Sequence, residues 1–111
     1  MIELVVKDFL DKKLDVPVLL EKERNLTGKF VILEKTGGSS RNQLYSATIA
    51  IQSYAVSLYE ASLLNEEVKT VMSNLVEVTN VNGVSLNSDY NFTDAENKQY
   101  RYQAVFDINY Y

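Results

Sequence analysis

The sequence predicts an α+β fold: a single domain with a mostly antiparallel sheet of about five strands and two helices packed on one face of the sheet. Two segments repeat apolar residues at helical spacing, and several others alternate apolar and polar residues with the period of a strand. These segments follow one another in the order α-β-β-β-α-β-β. The length of 111 residues suits one domain, which we place over residues 1–111, and an apolar fraction of 46% can fill its core.

The first three elements are predicted from an apolar stripe and one proline. The stripe of the amino-terminal helix has the spacing i, i+3, i+4, i+7, i+8: Ile2, Val5, Val6, Phe9 and Leu10. Pro17 ends this helix and cannot donate to a strand ladder, so "VPVLLEK", residues 16–22, is predicted as an edge strand. "KFVILEK", residues 29–35, is nearly all apolar and is predicted as a central strand. "RNLTG", residues 24–28, is predicted as the turn between them.

A third strand and a second helix come next. "QLYSATIAIQSYA", residues 43–55, alternates with period two and predicts a strand. Ser57 followed by Glu60 matches a capping box and sets the start of a helix. The apolar stripe of this helix is Ala61, Leu64, Val68, Val71, Met72 and Leu75. We expect about twenty residues of helix, ending near "TNVNG" at 79–83.

The last third of the chain predicts an antiparallel hairpin. Two alternating runs, residues 84–93 and 100–110, flank a short polar turn at 94–98. In the first run the alternation predicts two faces. One face holds Val84, Leu86, Ser88, Tyr90 and Phe92, and the other, solvated face holds Ser85, Asn87, Asp89 and Asn91.

The stretch "EKTGGSSRN", residues 34–42, is the only glycine-rich segment, and it raises the possibility of a phosphate-binding loop. Such a loop needs the spacing G-x-x-x-x-G-K-[ST] at the start of a helix, where backbone N–H groups and the helix dipole meet the anion. This stretch lacks that spacing and precedes a strand. We therefore predict a mobile connection between the second and third strands.

Composition excludes several kinds of site. The chain has no cysteine and no histidine, which removes disulfides, thiolate metal sites and the commonest general base. Asn87, Asp89 and Asn91 lack the glycine and glutamate of a calcium loop. We therefore expect no enzyme, no catalytic residue, no metal and no cofactor. The net charge of −4 and the scattered basic residues argue against tight binding of a nucleic-acid backbone.

Tyrosine is the positive signal in the composition. The chain has eight, and five of them are Tyr90, Tyr100, Tyr102, Tyr110 and Tyr111. Tyrosine is enriched in interfaces because it covers a large area and keeps a polar end. For Tyr100 and Tyr102 a core position and an interface position are both open. For Tyr110 and Tyr111, at the end of the last strand, we predict an interface.

Three stretches together resemble the small tail terminator proteins of long-tailed bacteriophages and prophages of Gram-positive bacteria. They are "VILEKTGGSSRN", "ATIAIQSYAVSLYEASLLNEEV" and "YNFTDAENKQYRYQAVFDINYY", and the resemblance covers about residues 16–111. It implies a structural role without catalysis. Tail terminators form hexameric rings on the head-proximal end of the tail tube, stop the addition of tube subunits and present a surface to the head. DNA passes through the ring.

The resemblance also implies partners and a location. The expected partners are further copies of the chain in a homo-hexamer, the tail tube protein and a head-completion or connector protein. DNA is expected to pass through the lumen without specific binding, and no contact with a membrane is expected. The expected location is the tail or neck of the virion, after assembly in the host bacterial cytoplasm. The candidate contact residues are Gly37, Gly38, Ser39, Ser40, Arg41, Tyr110 and Tyr111. The alternatives are another neck protein, either a head-completion or a stopper protein, and a small non-catalytic binding domain.

Overall fold

A computed structural model describes residues 1–23 and 26–111 and gives two helices and five strands in the predicted order. They are α1 (Ile2–Lys13), β1 (Val18–Leu19), β2 (Phe30–Arg41), β3 (Leu44–Ala55), α2 (Leu58–Met72), β4 (Val81–Asn91) and β5 (Tyr100–Tyr110). A short 3₁₀ turn, Leu75–Glu77, follows α2. The turn predicted over residues 24–28 includes two positions outside the described residues.

The strands form one sheet with the spatial order β1-β2-β3-β5-β4. Every neighbouring pair is antiparallel except β1 and β2, which are parallel. Only Val18 and Leu19 pair with β2, so β1 lies at the edge as Pro17 predicted, but the predicted length of residues 16–22 is wrong. The α+β class and the mostly antiparallel sheet are confirmed.

Both helices cover the same face of the sheet, which we call the helix side; the other face is called the open face. One buried apolar cluster contains residues of α1, α2, β2, β3 and β5. Its fully buried or nearly buried members include Val6, Leu10, Leu33, Ile49, Ile51, Leu64, Val68, Met72, Ala104, Phe106 and Ile108. The two predicted helical stripes therefore meet the alternating apolar residues of the strands.

The start of α2 is confirmed, but its predicted length is wrong. The Ser57 hydroxyl oxygen accepts a hydrogen bond from the backbone N–H of Glu60 at 3.2 Å, as a helix cap does. The helix spans 15 residues and ends at Met72, short of the expected twenty or so. Its end coincides with Ser73, whose hydroxyl donates to the carbonyl oxygen three residues back and competes with the helix ladder.

A β-bulge in β4 changes which side chains share a face. The pairing register between β4 and β5 shifts between Leu86 and Ser88. Leu86 lies opposite a helix-side residue of β5, and beyond the bulge Asp89 does so too, while Tyr90 lies on the open face. The prediction that Leu86 and Tyr90 share one face, and that Asp89 belongs to the solvated face, is therefore wrong, because the extra residue inverts the alternation.

Candidate interaction surface at the end of the β2–β3 hairpin

The glycine-rich stretch is a pair of strands with a tight turn. β2 continues to Arg41, and its antiparallel pairing with β3 continues to the pair Arg41 and Leu44. The chain reverses at Asn42 and Gln43, whose φ angles are 51° and 65°, a combination typical of two-residue hairpin turns. The predicted connection between the second and third strands is therefore shorter than expected, because residues 36–41 belong to β2 and only Asn42 and Gln43 form the turn. Pairing with β3 satisfies the backbone groups on the inner edge of this part of β2.

Every residue from Glu34 to Tyr45 is exposed, and we call this segment the hairpin end. Its side chains are accessible on both faces of the hairpin. β1 pairs only with Val31 and Ile32, so β2 has no partner along its outer edge beyond Ile32 among the residues that the structure describes. The hairpin end thus offers side chains and unpaired strand-edge groups to solvent.

Local contacts hold the hairpin end in shape. The hydroxyl groups of Ser39 and Ser46 lie 2.7 Å apart, and the Thr36 hydroxyl donates to a β3 carbonyl oxygen at 3.3 Å. The ring of Tyr45 stacks on the ring of Tyr110, with centroids 5.5 Å apart and planes inclined by 24°. The segment therefore presents a shaped surface.

The structure brings the two groups of candidate contact residues to one end of the sheet. Ser40 pairs with Tyr45, and Tyr45 pairs in turn with Tyr110 of β5. Tyr111 follows directly, is 65% exposed, and donates its backbone N–H to the Asn80 carbonyl oxygen at 2.9 Å. Gly37 through Arg41 and the last two tyrosines therefore lie at the same end of the sheet, with Tyr45 of β3 between Ser40 and Tyr110.

The hairpin end carries a local excess of positive charge. Lys35 and Arg41 are basic and Glu34 is acidic, which gives a net charge of +1 over this segment. The whole chain has a net charge of −4. The sign of the charge at the hairpin end is therefore opposite to that of the whole chain, and a partner with exposed carboxylates would complement it.

Sequence analysis missed a second exposed surface at the start of α2. Its apolar members are Val56, Leu58, Tyr59 and Leu63, which we call the α2 patch. Tyr59 is 73% exposed and Val56 is 65% exposed, which is high for side chains of this kind. The sequence did contain an indication of this surface. Leu58, Tyr59 and Leu63 lie outside the apolar stripe that predicted α2, and apolar residues on the solvent-exposed side of a helix often mark a contact with another molecule.

The open face of the sheet carries a small buried apolar cluster, formed by Phe30, Ile32 and Tyr54, and a set of polar contacts. The Gln52 side-chain amide donates to Gln103 at 2.8 Å, and Gln103 in turn donates to the Tyr90 hydroxyl. The Thr48 hydroxyl donates to Asp107 at 2.9 Å. These groups already have partners, so they are less available to another molecule than those of the hairpin end. Of the other tyrosines, those at 100 and 102 are half-buried.

A polar cluster on the helix side joins α2 to β4. Asp89 accepts hydrogen bonds from the Asn65 amide at 2.6 Å and from the Lys69 ammonium at 2.5 Å, and Lys69 also pairs with Glu66 at 2.8 Å. The hydrogen bond to Asp89, and then that to Glu66, raises the pKa of Lys69 above its usual 10.5. Asn65 is almost fully buried, so we assign this cluster a structural role.

No protein-family model and no curated protein matches this chain. Over residues 1–23 and 26–111, no three His, Cys, Asp or Glu side chains are placed to hold a metal ion together. In the same ranges no helix has the length and apolar character needed to cross a membrane. The fold defines an α+β domain, and its most distinctive feature is an ordered hairpin end with both faces exposed.

Proposed function

We propose that this protein is a structural subunit of a phage tail, a tail terminator that forms a hexameric ring on the head-proximal end of the tail tube. The observation that carries the proposal is the hairpin end. It is ordered by strand pairing, yet all its side chains are exposed. An ordered surface loses less conformational entropy on binding than a mobile loop, so it suits a protein whose task is to contact neighbours.

Ring assembly needs two different surfaces on each subunit, because a closed ring is built from head-to-tail contacts. The hairpin end and the α2 patch are two such surfaces. The free outer edge of β2 adds a third means of contact, since an exposed strand edge can pair with a strand of another protein. Through such contacts the ring would cap the tube, block further tube subunits and present its other side to the head-completion or connector protein.

The charge of the chain is compatible with DNA passing through such a ring. The net charge is −4, and an acidic or neutral lumen would not hold a passing phosphate backbone. The proposed role places the protein in the tail or neck of the virion, after assembly in the host bacterial cytoplasm. It assigns no catalytic residue and no cofactor.

The test combines purified protein with tail tube subunits. We expect a ring of about six subunits, free or on the tube, visible by negative-stain microscopy and measurable by light scattering. We also expect tubes to stop growing once the protein is added. Tubes that elongate normally, with no ring in either condition, would refute the proposal. Rings that bind the head connector but leave tube ends open would indicate a head-completion or stopper protein, and a strict monomer would indicate a small binding domain.

A further inference from the structure

We infer that the hairpin end of one copy of this chain docks on the α2 patch of the next copy. The inference rests on the proposed function, because this contact would join the subunits of the ring. It goes beyond that function by naming both sides of the contact, and each side is visible on the isolated chain.

The placement of the two surfaces is the first reason. β3 begins at Leu44 in the hairpin end and ends at Ala55, directly before Val56 of the α2 patch. A strand of this length separates its ends by roughly 36 Å, so the two surfaces cannot meet within one chain. They can meet only between copies, and a contact between two different surfaces is of the kind that forms rings.

Apolar surface is the second reason. Leu44 and Tyr45 are exposed in the hairpin end, as are the four apolar residues of the α2 patch. Exposed apolar groups that lie close together mark sites of interaction, and the α2 patch is such a group, whereas Leu44 and Tyr45 project from opposite faces of the hairpin end. The Tyr45 ring is already held by its stack on Tyr110, so burying it against a neighbour restricts little additional motion.

Charge is the third reason, and it favours head-to-tail pairing. The α2 segment from 56 to 67 contains three acidic residues and no basic one: Glu60, Glu66 and Glu67. Lys29 lies 3.8 Å from Glu60, and Lys69 lies 2.8 Å from Glu66, so Glu67 is the one of the three with no ion pair to a described residue. The hairpin end has a net charge of +1 and Glu67 lies beside the α2 patch, so contact between these two different surfaces is electrostatically favourable.

Glu67 is well placed to meet a basic residue of the hairpin end. It lies four positions after Leu63 in α2, so both side chains project from the same side of the helix. Both also line one surface hollow. We assign Arg41 at the tip of the hairpin as the partner of Glu67, because a guanidinium can bind a carboxylate in two-pronged geometry.

Cysteine cross-linking tests the contact directly, since the chain has no cysteine of its own. Ser40→Cys places a thiol in the hairpin end, and Tyr59→Cys places one in the α2 patch. Under mild oxidation, with and without tail tubes, we expect covalent dimers from the mixture of the two variants and few from either variant alone. Glu96→Cys, in the exposed turn between β4 and β5, is the matched control and should cross-link with neither.

Charge reversal gives a second measurement. Arg41→Glu and Glu67→Arg should each weaken self-association at least about tenfold, because each places like charges together. A chain that carries both changes should recover most of the lost affinity, as measured by sedimentation. Far-ultraviolet circular dichroism checks that each variant remains folded, which is expected because both side chains are exposed.

The outcomes separate this contact from the proposed function. The proposed contact would be wrong, and the ring would stand, if rings form in which the Ser40→Cys variant cross-links to itself. The same holds if both single charge reversals assemble into rings like the unmodified chain. If the mixture of the two variants cross-links but no ring forms and no tube is capped, the proposed function would be wrong and the contact would stand. No cross-link in either condition, with thiols that a maleimide still labels, would also overturn the contact.

Discussion

The two halves of the β2–β3 hairpin are both paired antiparallel, with a register shift between Lys35 and Gly37 where they join, and they differ in what covers them. In the basal half, Phe30–Leu33 is buried, and most of the paired residues 49–54 of β3 are buried as well. In the hairpin end, all side chains are exposed. Strand pairing, the Ser39–Ser46 contact and the Tyr45–Tyr110 stack thus hold the hairpin end, whereas burial makes the basal half the source of stability. The exposed half is left free to serve as a contact surface.

The largest expected effect comes from removing a buried side chain in the basal half. Ile51 is fully buried between the sheet and the helices, and Ile51→Ala should lower the free energy of unfolding by about 2–5 kcal/mol. Leu44→Ala in the hairpin end is the matched control and should change it by less than about 0.5 kcal/mol. Urea unfolding followed by circular dichroism gives both values. Equal losses would contradict the division of the hairpin into two halves.

A second comparison is available in β4, on the two sides of the bulge. Asp89 accepts from buried Asn65 and from Lys69 on the helix side, so Asp89→Ala should cost about 1–3 kcal/mol by leaving the buried amide without its partner. Asn87 is exposed and donates to Asp107 on the open face, and Asn87→Ala should cost well under about 1 kcal/mol. Equal effects of the two changes on urea unfolding would indicate that the bulge does not separate their environments.

The pH dependence of the Asp89 variant follows from Lys69. Its pKa in the folded chain is raised above 10.5, so the stabilisation from this ion pair is fully present below pH 10.5 and is lost as pH rises through the folded pKa. The loss in free energy of unfolding caused by Asp89→Ala should therefore be constant from about pH 7 to pH 9 and should become smaller only above pH 10.5. A loss that becomes smaller already below pH 9 would contradict this assignment.

The buried parts of the fold could be predicted from the sequence, and the exposed parts could not. The stripe of α1 and the cap at Ser57 were confirmed because burial and capping leave periodic or local signals. The hairpin end was predicted as a loop because glycine and serine are rare in strands, and its pairing depends on β3 rather than on its own composition. The bulge after Leu86 left no signal in the alternation, so the face of Asp89 was predicted wrongly.

For the candidate site, composition pointed to the residues but not to their arrangement. Tyr110 and Tyr111 were selected as tyrosines at the end of a strand, and the glycine-rich stretch was selected separately. Their meeting at one end of the sheet depends on β5 lying beside β3, which is a long-range pairing that no local pattern encodes. The α2 patch could not be predicted from the apolar stripe of α2, because Tyr59 lies outside that stripe.

A smaller effect is expected from the stack that anchors the hairpin end. Tyr45→Ala removes the contact with Tyr110 and should lower the free energy of unfolding by about 0.5–1.5 kcal/mol. It should also speed amide hydrogen exchange over residues 36–44. Tyr59→Ala, at an exposed tyrosine of the α2 patch, is the control and should leave both quantities nearly unchanged. Unchanged exchange in the Tyr45 variant would show that the stack does not order the hairpin end.

The smallest expected effect compares two adjacent glycines of the hairpin end. A Cβ at Gly37 would meet nothing within 4 Å, whereas a Cβ at Gly38 would lie 3.1 Å from the Ser46 carbonyl oxygen and 3.0 Å from the end of the Lys35 side chain. Neither glycine has a positive φ, so backbone strain does not distinguish them. Gly37→Ala should leave the stability unchanged or raise it by up to about 1 kcal/mol, because alanine restricts the unfolded chain.

Gly38→Ala should instead lower the stability, by less than about 1 kcal/mol, because the side chain of Lys35 can move away but the Ser46 carbonyl belongs to the paired strand. The sign of the difference between the two variants, measured by thermal unfolding, is the decisive quantity. A Gly38→Ala chain as stable as the Gly37→Ala chain would mean that β2 and β3 separate readily at this point. Pairing in the hairpin end would then be looser than the regular register with β3 from Gly37 to Arg41 indicates, and docking would have to supply part of its order.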